Sequence, residues 1–181
     1  MIVFKVSPKN QGFTLIELVT VLFIAGILAA TAVPSFIAMY ENTQVKDAIN
    51  TVQGALKEVQ REAIRKSKVC NITLSSTAIT SSKGCLVTGD RTLSKVSIAS
   101  SLSTTTPANS FQFNIKGNTV NNSTPPTKPT NLNNNVTILI SSTSNPKLVR
   151  CLVVSAPLGL IRAGKYNPSQ VATPDEQYCT P

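Results

Sequence analysis

NQGFTLIELVTVLFIAGILAATAVPSF, residues 10–36, is the stretch on which the reading of this 181-residue chain turns: an apolar run with one charge, Glu17, near its start. Residues 18–33 hold no charged side chain. With residues 13–16 the apolar span is about 20 residues long, enough to cross a bilayer core of ~30 Å. Ahead of it, MIVFKVSPKNQG carries Lys5 and Lys9 and no acid. That asymmetry sets a membrane segment with its positive end in the cytoplasm.

Three readings compete for this segment. A secretory signal would use the A-x-A site at Ala30–Ala32, yet the sequence after it continues as helix. An ionised Glu at the centre of a membrane helix costs ~2.5–3.5 kcal/mol, and less near its end. A plain single-span anchor explains length and orientation but gives Glu17 no purpose. The third reading cuts the chain after Gly12 and makes Phe13 the new N-terminus. Glu17 then lies one turn from a free amine, at the positive end of the helix dipole. In a packed array of such helices the carboxylate pairs with the Phe13 amine of a neighbour, and an unpaired charge penalises wrong stagger.

Beyond the apolar run, Pro34 lacks an amide hydrogen and is expected to bend or loosen the helix. Helix resumes over residues 45–64, where Val45, Ile49, Val52, Leu56, Val59 and Ala63 follow spacings of 4, 3, 4, 3 and 4. That stripe must be buried. Glu58 is expected to pair with Arg61, and Glu62 with Arg65 or Lys66. From Phe13 to Lys66 the helix would run ~80 Å. Lys57, Arg61 and Arg65 share one helix face, extended by Lys66 and Lys68, and read as a solvated side.

From Val69 onward the chain alternates in strand fashion, in VCNITLS, GCLVT, KVSIAS, FQFNI, NVTILISS and LVRCLVVS. KGN at residues 116–118 predicts a hairpin turn. SSLSTTTPANS and NNSTPPTKPTNLNNN read as loops. The fold class is therefore α+β: a long N-terminal hydrophobic helix whose C-terminal half packs on an antiparallel sheet domain. The segments are 1–12, 13–40, 41–68 and 69–181. The last holds nine Lys/Arg against three Asp/Glu, which permits polyanion binding without demonstrating it.

Cys70, Cys85, Cys151 and Cys179 all lie in the polar half, with no CxxC pair and no His in the chain. Zinc is not expected. An even count behind an export-type N-terminus suggests two disulfides in an oxidising compartment, with three connectivities open. The favoured one joins Cys70 to Cys85 around SSKG and Cys151 to Cys179. Without His, Ser–His and Cys–His catalysis is excluded. Asp175 and Glu176 are adjacent beside Pro174, poor geometry for paired acid–base work, and no phosphate-binding Gly loop is present. No enzyme activity, metal or cofactor is expected.

The stretch KNQGFTLIELVTVLFIAGILAATAVPSF closely resembles the N-terminus of type IV pilins and type II secretion pseudopilins. The resemblance implies cleavage between Gly12 and Phe13 by a prepilin peptidase, N-methylation of Phe13, and an assembly role for Glu17. It also implies a head packed on the distal half of a long helix. REAIRK at residues 61–66 and RCLVVSAPLGLIRAGKY at residues 150–166 resemble the minor pilins and pseudopilins of the FimT/GspH kind, a weaker match.

The same resemblance implies a structural subunit that enters a filament through its apolar helix. Its partners would be other pilins or pseudopilins and an inner-membrane assembly platform. It would sit in the inner membrane with a periplasmic head, then in a surface pilus or periplasmic pseudopilus. Some FimT-like pilins capture DNA during transformation. The residues here that would do so are Lys147, Arg150, Arg162 and Lys165, with Tyr166 placed to stack on a base. Relatives of that kind carry closely spaced arginines after Gly, whereas Gly159 is followed by Leu160 and Ile161. The alternatives are a type II secretion pseudopilin and an ordinary secreted or membrane-anchored binding protein.

Overall fold

One helix, α1 (Leu15–Arg65), carries both the apolar run and the amphipathic stripe and passes through Pro34. The structure is a computed structural model that describes residues 12–102, 109–121, 134–167 and 174–181. The expected segments 13–40 and 41–68 share α1, and the chain divides into units Met1–Met39 and Tyr40–Pro181. Residues 1–11 of the expected leader 1–12 and the interiors of both polar loops lie outside the described residues.

In the first unit every side chain described is exposed, including Phe13, Ile16, Phe23, Leu28 and Phe36. This part of α1 is long and apolar enough to cross a membrane by length and composition. Helix formation here rests on the many Leu and Ala residues, which lose little freedom in a helix, and on a start signal.

The second unit is built on residues 40–65 of α1. Val45, Ile49, Val52, Leu56, Val59 and Ala63 are all buried, joined by Ala48 and Ala55. Ten strands follow among the described residues: β1 (Cys70–Leu74), β2 (Ala78–Ser81), β3 (Arg91–Thr92), β4 (Val96–Ser100), β5 (Ser110–Phe113), β6 (Thr119–Asn121), β7 (Val136–Ser142), β8 (Val149–Ser155), β9 (Leu160–Tyr166) and β10 (Cys179–Thr180). They form two five-stranded sheets, in the orders β3-β2-β1-β5-β6 and β10-β9-β8-β7-β4. Every pairing within them is antiparallel. Alternation puts Cys70, Ile72 and Leu74 of β1 inward, with Phe111 and Phe113 of β5, whose rings meet edge to face at 5.5 Å. Ile138 and Ile140 of β7 and Leu152 and Val154 of β8 complete one core with the helix stripe.

Two disulfides are present, Cys70–Cys85 and Cys151–Cys179. Each lies within one half of the head: the first ties β1 to the loop after β2, the second joins β8 to β10. The two sheets meet the helix again through Gln60. Its Nε2 donates to the carbonyls of Gly117 (2.8 Å) and Gly159 (3.1 Å), in the β5–β6 and β8–β9 turns. Both glycines have positive φ, and a Cβ on Gly159 would stand 2.5 Å from the Gly117 carbonyl. The expected hairpin turn at residues 116–118 is the first of these turns.

Two expectations are corrected. GCLVT is turn, not strand, because its backbone groups are engaged by side chains from elsewhere. Lys68 and Lys66 donate to the carbonyls of Lys83 and Gly84, and Glu58 accepts from the amides of Val87 (2.7 Å) and Thr88 (3.3 Å). Gly84 and Gly89 have positive φ, unsuited to a ladder. For the same reason Glu58 does not pair with Arg61. It faces the loop and binds Arg91 at 3.2 Å. Glu62 takes both Arg65 and Lys66, as its spacing predicts.

Candidate functional site

Residues 12–17 form the first candidate site. Gly12, Phe13 and Thr14 precede α1, and the helix is started by Thr14, whose Oγ1 accepts the amide of Glu17 at 3.3 Å. Thr-Leu-Ile-Glu thus has the spacing of a capping box, which satisfies an otherwise orphan helix amide. Glu17 is placed in the first turn, where unpaired amides create a positive field. Thr20 Oγ1 folds back to donate to the carbonyls of Ile16 and Glu17, so its hydroxyl is engaged away from the carboxylate. Gly12, Phe13 and Glu17 are exposed, as are the described side chains of the helix as far as Met39. An exposed carboxylate thus stands in the first turn of an apolar helix.

The second candidate is the set of cations at the Tyr40 end of the head. Strand register decides which of the four cations singled out in the sequence come together. Arg150 on β8 is directly opposite Lys165 on β9, and directly opposite residues share a face. That face also holds Leu152 and Val154, so it looks toward the core. Arg162 is opposite Val153 and therefore points to the other face. Lys147 lies in the β7–β8 turn and is exposed. Arg150 and Lys165, with Lys46 and Asn50 from α1, line a cavity of about 330 Å³. Sequence reasoning misses Lys46. It is more than 100 positions from Arg150, and only the packing of β8 on α1 brings them together.

Arg150 is part-buried. Its guanidinium reaches the Asn42 side-chain oxygen at 3.5 Å, and its Nε–H is buried without a hydrogen-bond partner among the described residues. Lys95, the positive-φ residue ahead of β4, places its Nζ 5.4 Å from the centre of the Tyr40 ring. Thr143, in the β7–β8 turn, donates to the Lys95 carbonyl and fixes that turn beside it. Among the described residues the ion pairs are those of Glu58 and Glu62 at the other end of the helix stripe. There the Arg65 hydrogen bonds, with Lys66 in support, hold the Glu62 carboxyl down at about 2.

Among the described residues no group of three or more His, Cys, Asp or Glu side chains is placed to hold a metal. Asp175 caps the short 3-10 turn Glu176–Tyr178 by accepting from Gln177, and Glu176 is bound by Asn135. The two carboxylates are thus engaged separately.

A family model described as the prokaryotic N-terminal methylation motif matches residues 7–33. The chain is 40% identical over 74 residues to the type IV major pilin protein PilA of Myxococcus xanthus, covering 39% of this chain and 34% of that protein. It is 47% identical over 59 residues to a fimbrial protein of Pseudomonas aeruginosa, covering 33% and 38%. The chain thus spans little more than a third of the curated relatives it matches. Two crystal structures of the type IV minor pilin FimU of Pseudomonas aeruginosa align at 15% and 14% identity. They cover 65% and 68% of this chain and 90% of FimU, with TM-scores of 0.44 and 0.46.

Proposed function

We propose that this type IV pilin-like protein is a minor pilin of the FimT/GspH kind, a structural subunit that enters a pilus through α1. The observation that carries the reading is the geometry of residues 12–17. A Thr-capped helix start leaves Glu17 exposed at the head of an apolar helix, inside the segment that matches the methylation motif.

In this reading a prepilin peptidase cuts between Gly12 and Phe13, and the new Phe13 amine is methylated. The subunit waits in the inner membrane with its head in the periplasm. On an assembly platform, Glu17 meets the Phe13 amine of an adjoining subunit. Two charges that are each costly in apolar surroundings then neutralise one another, and a subunit entering at the wrong stagger leaves one unpaired. The protein is a substrate of processing enzymes and has no catalytic role of its own. A place in a type II secretion pseudopilus would use the same helix chemistry. DNA uptake would rest on Lys147, Arg150 and Lys165, since Arg162 is on the opposite face of its sheet.

Mass spectrometry of the mature N-terminus tests the processing step. Methyl-Phe13 is expected, and a chain beginning at Val33 would refute the proposal. Glu17→Ala should be processed normally but be lost from sheared filaments. Incorporation at the wild-type level would refute the pairing. Full-length chain in detergent should retard single- or double-stranded DNA at low salt if the cations serve uptake, and Lys147→Ala with Lys165→Ala should abolish the shift.

A further inference from the structure

We infer that the Tyr40 end of the head is a membrane-facing basic collar that binds the phosphates of anionic lipid headgroups before the subunit enters a filament. The inference rests on the reading that residues 13–39 span a bilayer. Covalent connection alone then puts Tyr40 at the membrane surface. Five cations gather at that end. Lys46 lies on α1, about 10 Å along the helix from Met39. Lys95 sits over the Tyr40 ring. Lys147 is in the turn fastened to Lys95 through Thr143. Arg150 reaches Asn42, and Lys165 is its cross-strand neighbour.

The chemistry suits this position. The headgroup layer adds roughly 5–7 Å beyond the hydrocarbon on each side, and screening at physiological salt sets in over ~8 Å. Cations within the first two turns of Tyr40 are therefore inside the field of an anionic leaflet. Tyr40 is itself exposed, with an aromatic body and polar tip of the kind that favours the interface. The acids of this helix stretch are Glu41 and Asp47. Asp47 lines the opposite side with Leu93 and Ser94, away from Arg150. The cavity framed by Lys46, Asn50, Arg150 and Lys165 holds about 330 Å³, ample room for a phosphate group.

The test uses the full chain in vesicles of phosphatidylcholine, with or without ~30 mol % phosphatidylglycerol. Flotation with both kinds of vesicle is expected from the apolar segment alone. Amide exchange over residues 93–96 and 143–150 should slow at least about five-fold in the anionic vesicles, the equivalent of one cation's attraction to the surface. It should return to the neutral-vesicle rate at ~0.5 M salt. Lys46→Gln with Lys147→Gln and Lys165→Gln should float equally well and lose the slowing, with exchange in β7 unchanged as the control for folding. Failure to float would overturn both the membrane reading and this proposal. Flotation with equal exchange in the two vesicles would overturn this proposal alone. Slowing that survives the triple substitution would also overturn it, as would slowing reproduced in neutral vesicles by ~10 mM inorganic phosphate.

Discussion

Glu58 offers the most quantitative test of how the head is held on its helix. Its carboxylate accepts the Val87 amide at 2.7 Å, the Thr88 amide at 3.3 Å and the Thr88 hydroxyl at 3.2 Å, and it binds Arg91 at 3.2 Å. The short Val87 bond is charge-assisted and worth about 1.5–3 kcal/mol. The longer Thr88 contacts add less. The Arg91 bridge is about a quarter exposed on the Arg side and is discounted to ~0.5 kcal/mol. Glu58→Ala should therefore favour opening of the loop by ~2–3 kcal/mol, or roughly 30- to 150-fold. The Cys70–Cys85 bridge holds the near end, so the opening is confined to residues 86–91. Amide exchange at Val87 and Thr88 should accelerate by that factor. Glu58→Gln, which keeps one acceptor and loses the charge, should give only about a five-fold increase. If Val87 and Thr88 exchange at the wild-type rate in Glu58→Ala, the loop is held by its own turns and the assignment of the carboxylate is wrong.

Gly159→Ala must fit a Cβ 2.5 Å from the Gly117 carbonyl at a φ of +71°, so it should cost more than ~2 kcal/mol in a urea melt of the head. Leu56→Ala, which opens a cavity beneath a fully buried side chain, should cost ~2–5 kcal/mol in the same assay. For Glu62 the folded value of about 2 lies below the ordinary carboxylate value of 4.5. Its contribution is thus complete above pH 4.5 and is lost as pH falls toward 2. The gap in urea midpoint between wild type and Glu62→Gln should close across that window, and a constant gap would refute the account.

Legibility tracks the range of the forces involved. The helix stripe is readable because its spacing alone decides which side chains face inward, and all six of Val45, Ile49, Val52, Leu56, Val59 and Ala63 are buried. Strands β1, β4, β5 and β7 announce themselves by alternation, and β8 by a continuous apolar run whose residues 151–154 are all buried. Strands β2, β3, β6 and β10 do not, because two to four residues rich in Ser, Thr and Asn show no period. GCLVT misleads because its composition suits a strand, while the groups that claim its backbone, Glu58, Lys66 and Lys68, belong to the helix and the turn after it. The helix start at Thr14 is local and can be read from four residues. The neighbourhood of Arg150 cannot, since it needs the β8–β9 register and the docking of α1 together.

The placement of the two disulfides has a mechanical consequence. Each one reinforces a single half of the head, and no covalent cross-link joins one sheet to the other. Tension along the helix would reach both halves through side-chain packing and the forked grip of Gln60. A subunit pulled hard would part between its two sheets, with β1–β2 and β8–β10 each held by their own staple while β4, β5, β6 and β7 lie outside both disulfide loops.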